Sequence, residues 1–203
     1  VDFELTQAGG KASVAIEDGA LVLPEVFEDP AVPLDRLSAS VRWQVEGERI
    51  ALQVPDLQFS NADAQGEARV AWTTGDPKRS SSRSRFPGVL DLSGELRRAD
   101  GTRVHRYLPL TIPAETRHYV RDAVTAGTAS SVQFRVKGDL HDIPFNHPGQ
   151  GEFHIAAKLR DVTYAYVPPG LQHAGDPAWP ALTQLAGELV FDRSSMAVRG
   201  ATG

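Results

Sequence analysis

Cysteine is absent from the 203 residues. That one absence excludes disulfides, thiolate nucleophiles and zinc–thiolate centres together, and it leaves either redox compartment open. Long apolar runs are missing as well: nothing approaches the roughly 20 consecutive residues that a membrane-spanning helix needs. Basic charge is not in excess. Lys and Arg number 21 against 26 Asp and Glu, a net charge of −5, so the cationic face of a general nucleic-acid binder is not expected, nor is a nucleic-acid partner.

Catalytic patterns are also missing. There is no G-x-S-x-G elbow, and the serines concentrate in one polar stretch. Gly9-Gly10-Lys11 superficially resembles a phosphate loop, but Leu5 stands where the first glycine belongs and Ala12 follows the lysine, so it reads as a hairpin turn. His141, His147 and His154 lie near Asp142 without any metal-ligand spacing, and they read as surface histidines. Carboxylates alternate along strand patterns with nothing to pair them. No catalytic residue, metal or cofactor is expected.

What remains is strand. Phe3 and Leu5, Val14 and Ile16, Val41, Trp43 and Val45, Ile50, Leu52 and Val54, and Leu57 and Phe59 each alternate with polar neighbours, the period of a sheet with one wet face. Gly9-Gly10, Asp18-Gly19, Glu46-Gly47, Pro55-Asp56 and Asn61-Ala62-Asp63 read as the turns between them. Pro24, Pro30 and Pro33 mark a crossing loop. After residue 88 the alternation resumes with Leu90, Leu92 and Leu96, then Val132, Phe134 and Val136, then Phe153, Ile155 and Leu159, with further strands at Val162–Tyr166, Leu189–Phe191 and Met196–Val198. Gly66-Glu67, Gly94-Glu95, Gly151-Glu152 and Gly187-Glu188 recur at irregular intervals, each read as opening a strand after a glycine.

One helix is predicted, over about 113–126: Pro113 suits its first turn, Glu115 complements its N-terminus and Gly127 can stop it. Tyr119, Val120, Ala123 and Val124 share its apolar stripe, with Arg117, Arg121 and Asp122 elsewhere. The polar run over about 74–87, carrying Lys78, Arg79, Arg83 and Arg85, reads as a mobile loop whose charge suits an anionic contact.

The fold class is therefore mainly β: one segment, 1–203, forming an antiparallel meander as a curved, twisted sheet or open β-groove with one short helix packed on it. Alternation alone leaves a closed sandwich scaffold or partner-docking module open, as well as a carbohydrate-binding module using Tyr164, Tyr166 and Trp179. The chain starts at Val1 without Met and stops at Gly203 just after a strand pattern, so it reads as excised from a longer protein.

Arg106-Tyr107-Leu108-Pro109, the helix before Gly127, Val136-x-Gly138-Asp139-Leu140-x-Asp142-Ile143-Pro144-Phe145, Gly151-Glu152-Phe153-x-Ile155 and Ala178-Trp179-Pro180-Ala181-Leu182 occur in an order that resembles the AsmA-like family, in its YhdP branch. Leu21 to Phe27, Val41-Arg42-Trp43 and Ser60 to Ala64 extend the resemblance over the whole chain. It departs at His118-Tyr119-Val120, where a Trp-Leu pair is expected. The resemblance implies a periplasmic segment of an inner-membrane-anchored protein, its anchor outside these residues, that shields phospholipid acyl chains between the two membranes; its envelope protein partners are unknown. The implied lipid contacts are Leu90, Leu92, Leu96, Val132, Phe134, Val136, Phe153, Ile155 and Leu159.

Overall fold

The computed structural model describes residues 2–173, 175, 177 and 179–203. Val1, Ala174, Asp176, Ala178 and the side chain of Leu5 fall outside that description, and with them one end of the first strand pattern and part of the Val167–Leu182 loop. Ten strands follow one another in space in the order of the chain: β1 (Asp2–Thr6), β2 (Gly9–Val22), β3 (Ala31–Glu46), β4 (Arg49–Ser60), β5 (Ala64–Thr73), β6 (Val89–Asp100), β7 (Val124–Asp139), β8 (Gly151–Tyr164), β9 (Leu182–Asp192) and β10 (Ser195–Thr202). Every neighbour is antiparallel. Among the described residues β1 and β10 have one partner strand each, so the meander is an open sheet.

Burial distinguishes an open sheet from a sandwich. Two facing sheets would sequester large side chains completely, whereas here the largest fully buried ones are Phe145 and Pro168, and the buried apolar set is otherwise mostly Ala and Val. Trp72, Phe134 and Ile155 remain half-buried. The closed-sandwich alternative is not the observed fold.

Several expected turns lie inside strands. Pro55 and Asp56 sit within β4, where the register to β5 shifts between Val54 and Leu57. Proline has no N–H for the ladder and is tolerated at such an irregularity, and Asp56 instead accepts hydrogen bonds from the backbone N–H (2.8 Å) and hydroxyl (2.9 Å) of Ser40 on β3. Asp18 and Gly19 lie within β2, with Asp18 at φ 48°. The segment after Pro24 is a hairpin connection between adjacent strands rather than a crossing loop, and Pro33 pairs with Ala20 inside β3.

The helix, α1 (Ala114–Ala123), is shorter than predicted. Pro113 is its N-cap, and the chain turns into β7 at Val124. Gly127 does not stop it: this glycine lies inside β7 at φ +125°, close against Val162, where a β-carbon would meet the Val162 side chain at 2.6 Å. Arg117 is buried rather than turned away, because its guanidinium donates to the Ile112 carbonyl and to Glu28 Oε2 (3.3 Å).

The 3₁₀ segment Gly101–Tyr107 and α1 form a strap at one end of the strands. Phe27 bridges to Pro109, Leu110 N–H donates to Val26 O (2.9 Å), and Arg106 reaches Asp63 (2.9 Å) and Asp29 (3.2 Å). The strap thus runs from the β6–β7 connection to the β2–β3 connection. At the opposite strand ends, the 74–88 connection is tied to the end of β7 through Ser80 Oγ donating to Asp139 (2.6 Å) and to the 140–150 connection through Ser81 Oγ donating to Asp142 (2.5 Å).

Candidate functional site

In an antiparallel sheet, directly opposed residues point to the same side, so the register sorts the side chains by face. One row runs Ile16, Leu37, Phe59, Gly66, Leu96, Val132, Ala157, Leu189, Val198, crossing nine strands without a polar residue. At a spacing of about 4.8 Å that is roughly 40 Å of continuous apolar surface. A second row runs Leu57, Ala68, Gly94, Phe134, Ile155, Phe191, Met196. A third runs Val54, Val70, Leu92, Val136, Phe153, and a fourth Gly10, Trp43, Leu52, Trp72, Leu90, Gly138, Gly151.

All nine residues expected from the sequence therefore share one face, Leu159 joining it opposite Gly187. They are half-buried, Val136 more deeply. Among the described residues no second layer covers the rows, and at the sheet edges the exposure rises to 65% at Phe3 and 64% at Met196. Trp43, Leu52, Phe59, Trp72 and Phe191 belong to the same face without having been singled out. The alternation around Trp43, Leu52 and Phe59 is legible in the sequence, and only the register shows that it is in phase with β6 to β8.

The recurring Gly-Glu pairs take on meaning here. Gly66, Gly94 and Gly187 lie inside strands rather than opening them; only Gly151 begins one. All four are on the apolar face, so each following glutamate is on the other. Side chains lie over these bare positions: Phe134 over Gly94, Leu96 over Gly66, and Phe145 over both Gly138 and Gly151. Phe145, completely buried, thereby closes one strand-end margin of the apolar face. At the same end Phe86 stacks on Trp72, with centroids 6.2 Å apart. At the other end Tyr119 of α1 meets Tyr164, hydroxyl to hydroxyl at 2.6 Å. Burial, then that hydrogen bond, pushes the Tyr119 hydroxyl up to about 12.

The opposite face is charged. Arg135 pairs with Asp91 and with Glu152 (3.4 Å), Lys137 with Asp91 (3.4 Å), and Arg97 with Glu67 (3.0 Å) and Glu95 (3.5 Å). The hydrogen bond from Arg135 holds the Asp91 carboxyl below the usual range. Hollows of about 510 Å³ and 620 Å³ lie on this side, the first lined by Gln58, Glu67, Arg69, Glu95, Arg135 and His154. The apolar side is instead a broad strip.

The histidines do not converge. His154 sits opposite Arg135 on the charged face, His141 contacts Ser81 and Asp142, and the His147 N–H donates to Gln150, and among the described residues no group of three His, Asp or Glu side chains could hold a metal ion. An aromatic platform for sugars is not formed either: the Tyr164 hydroxyl is engaged by Tyr119, and Tyr166 meets Trp179 edge-on at 5.8 Å, beyond the end of β8.

The family model of the YhdP protein matches residues 1–203. The chain belongs to the YhdP family. No curated protein and no solved structure matches it. Across this YhdP-family chain, no helix among the described residues is long and apolar enough to cross a membrane. The family sequence thus folds as an unclosed sheet with one apolar and one charged face.

Proposed function

We propose that the apolar face carries phospholipid acyl chains, and that this chain is one length of a periplasmic conduit between the inner and outer membranes, anchored in the inner membrane outside the present residues. The observation that carries the reading is the row from Ile16 to Val198: nine strands contribute only apolar or glycine positions, and among the described residues no second layer consumes them. Family membership supports the same reading.

The physical rationale is the cost of wetting a lipid tail. Each methylene kept from water is worth about 0.8 kcal/mol, so a sixteen-carbon chain faces a barrier of roughly 12 kcal/mol in solvent. A continuous apolar strip lowers that barrier without chemistry, and the charged opposite face keeps the sheet soluble. The row has no single anchoring residue, which suits passage along it better than tight capture.

Native mass spectrometry of the purified chain with phospholipid tests this. Phe134→Glu places a carboxylate in the middle of the second row and is expected to reduce retention by roughly tenfold or more, since an unpaired charge beside a tail costs more than about 1.4 kcal/mol. Gln133→Glu, on the charged face, is expected to leave it unchanged. Equal retention in a folded Phe134→Glu protein would remove acyl chains from this face.

A further inference from the structure

We propose that the 74–88 connection is a headgroup site: Lys78 and Arg83 bind the phosphodiester of an anionic phospholipid whose tails lie along the strands toward the α1 end. The proposal rests on the acyl-chain reading of the apolar face and adds to it a direction and a headgroup class.

Four cations, Lys78, Arg79, Arg83 and Arg85, stand in this connection with Asp76 as its one acid. Two are committed: Arg79 to Asp76 (3.8 Å), and Arg85 to the Glu48 carbonyl (2.9 Å) and carboxylate (3.7 Å). The side chains of Lys78 and Arg83 have no partner among the described residues, and both are exposed. Two further carboxylates at the connection, Asp139 and Asp142, are engaged by Ser80 and Ser81, and no cation of the connection pairs with either.

The position matters as much as the charge. Phe86 lies flat on Trp72, at an interplanar angle of 23°, and Trp72 Nε1 donates to Pro87 O (2.9 Å). Trp72 belongs to the Trp43–Leu52–Leu90 row, so the connection that carries the cations is fastened to the margin of the apolar face at its Phe86-Pro87 end. Phe86 and Ile143 remain 54% and 42% exposed at that margin. Apolar surface and unpartnered positive charge are thus carried by one connection, the two features a lipid combines at its own glycerol level. At the opposite strand ends, the guanidinium groups of Arg106, Arg117 and Arg121 are already taken by Asp29 and Asp63, Glu28 and Asp122, and among the described residues Arg103 stands exposed without a second free cation of the strap beside it.

The chemistry sets the class. A guanidinium and an ammonium together satisfy a phosphodiester well, while the ammonium of a zwitterionic headgroup would lie beside the same cations. Preference for the anionic lipid follows.

The test is competition: native mass spectrometry of the 203-residue chain with equal phosphatidylglycerol and phosphatidylethanolamine of identical tails. The parent chain is expected to be enriched in phosphatidylglycerol by roughly three- to tenfold. Lys78→Gln with Arg83→Gln should abolish the enrichment while total lipid stays the same; both positions are exposed, and a matching thermal melt verifies the fold. An unchanged ratio in the double variant overturns the headgroup site and leaves the apolar face intact. A parent chain that binds glycerol phosphate as strongly as phosphatidylglycerol has a free-phosphate site, which also overturns it. Retention of no lipid at all overturns the acyl-chain reading and this proposal together.

Discussion

The ring of Phe134 occupies the space that a side chain at Gly94 would need: a β-carbon added to Gly94 would stand 2.5 Å from Phe134 Cζ and would also strike the Glu67 carbonyl. Gly10 beneath Trp43 and Gly151 beneath Phe145 repeat the relationship. Bare positions of this kind let large rings lie across the neighbouring strand, which keeps the apolar strip dense without a second layer.

Gly94→Ala is therefore expected to destabilise the chain by about 1–3 kcal/mol through overpacking, although alanine is otherwise acceptable in a strand. Urea denaturation measures it as a lower midpoint at unchanged slope. The double variant Gly94→Ala/Phe134→Leu should recover part of the loss, the share that comes from the ring, while the contact with the Glu67 carbonyl remains.

Asn61 is a second fixed point. It is 4% exposed, its Oδ1 accepts from the N–H groups of Asp63 (3.0 Å) and Ala64 (2.7 Å), and its Nδ2 donates to Pro33 O and the Tyr107 hydroxyl (3.0 Å each). Removing it leaves buried backbone donors unpaired, so Asn61→Ala is expected to cost about 1–3 kcal/mol. Hydrogen exchange should show faster loss of protection at Ala64 and in the Tyr107 segment than at β7.

Acid should loosen the strap. The hydrogen bond from His118 (3.1 Å), then that from Arg117, holds the Glu28 carboxyl below its ordinary range. A carboxyl lowered on folding contributes stability that is present above the unfolded value and lost as pH falls through the folded one. Exchange at Leu110 N–H, which donates to Val26 O, should therefore accelerate on acidification in the parent chain relative to Glu28→Gln at each pH. Parallel profiles for the two proteins would remove Glu28 from the strap's attachment.

The legibility of this molecule in its sequence divides along physical lines. Alternation in Val132-Gln133-Phe134-Arg135-Val136 assigns both strand and face locally, because the pleat has a period of two. Phase between strands is different, since each bulge shifts it by one residue. The shifts after Val54 and Leu159 carry no composition cue beyond Pro55 and Asp161, and Pro55-Asp56 was read as a turn for that reason. Gly127 carries the same ambiguity: a positive φ serves a helix stop and a close strand approach equally well. The burial of Arg117 draws on the Ile112 carbonyl nearby and on Glu28, 89 residues away in sequence, and nothing local announces the second partner.

The most direct measurement is photocrosslinking along β7. A photoreactive amino acid is placed in turn at Val132, Gln133, Phe134, Arg135 and Val136, and phospholipid adducts are scored by mass spectrometry. Adducts at Val132, Phe134 and Val136 with none at Gln133 and Arg135 are predicted, the two-residue rhythm of a lipid lying on one side of the sheet. Adducts at all five positions alike, or only at Gln133 and Arg135, would contradict it.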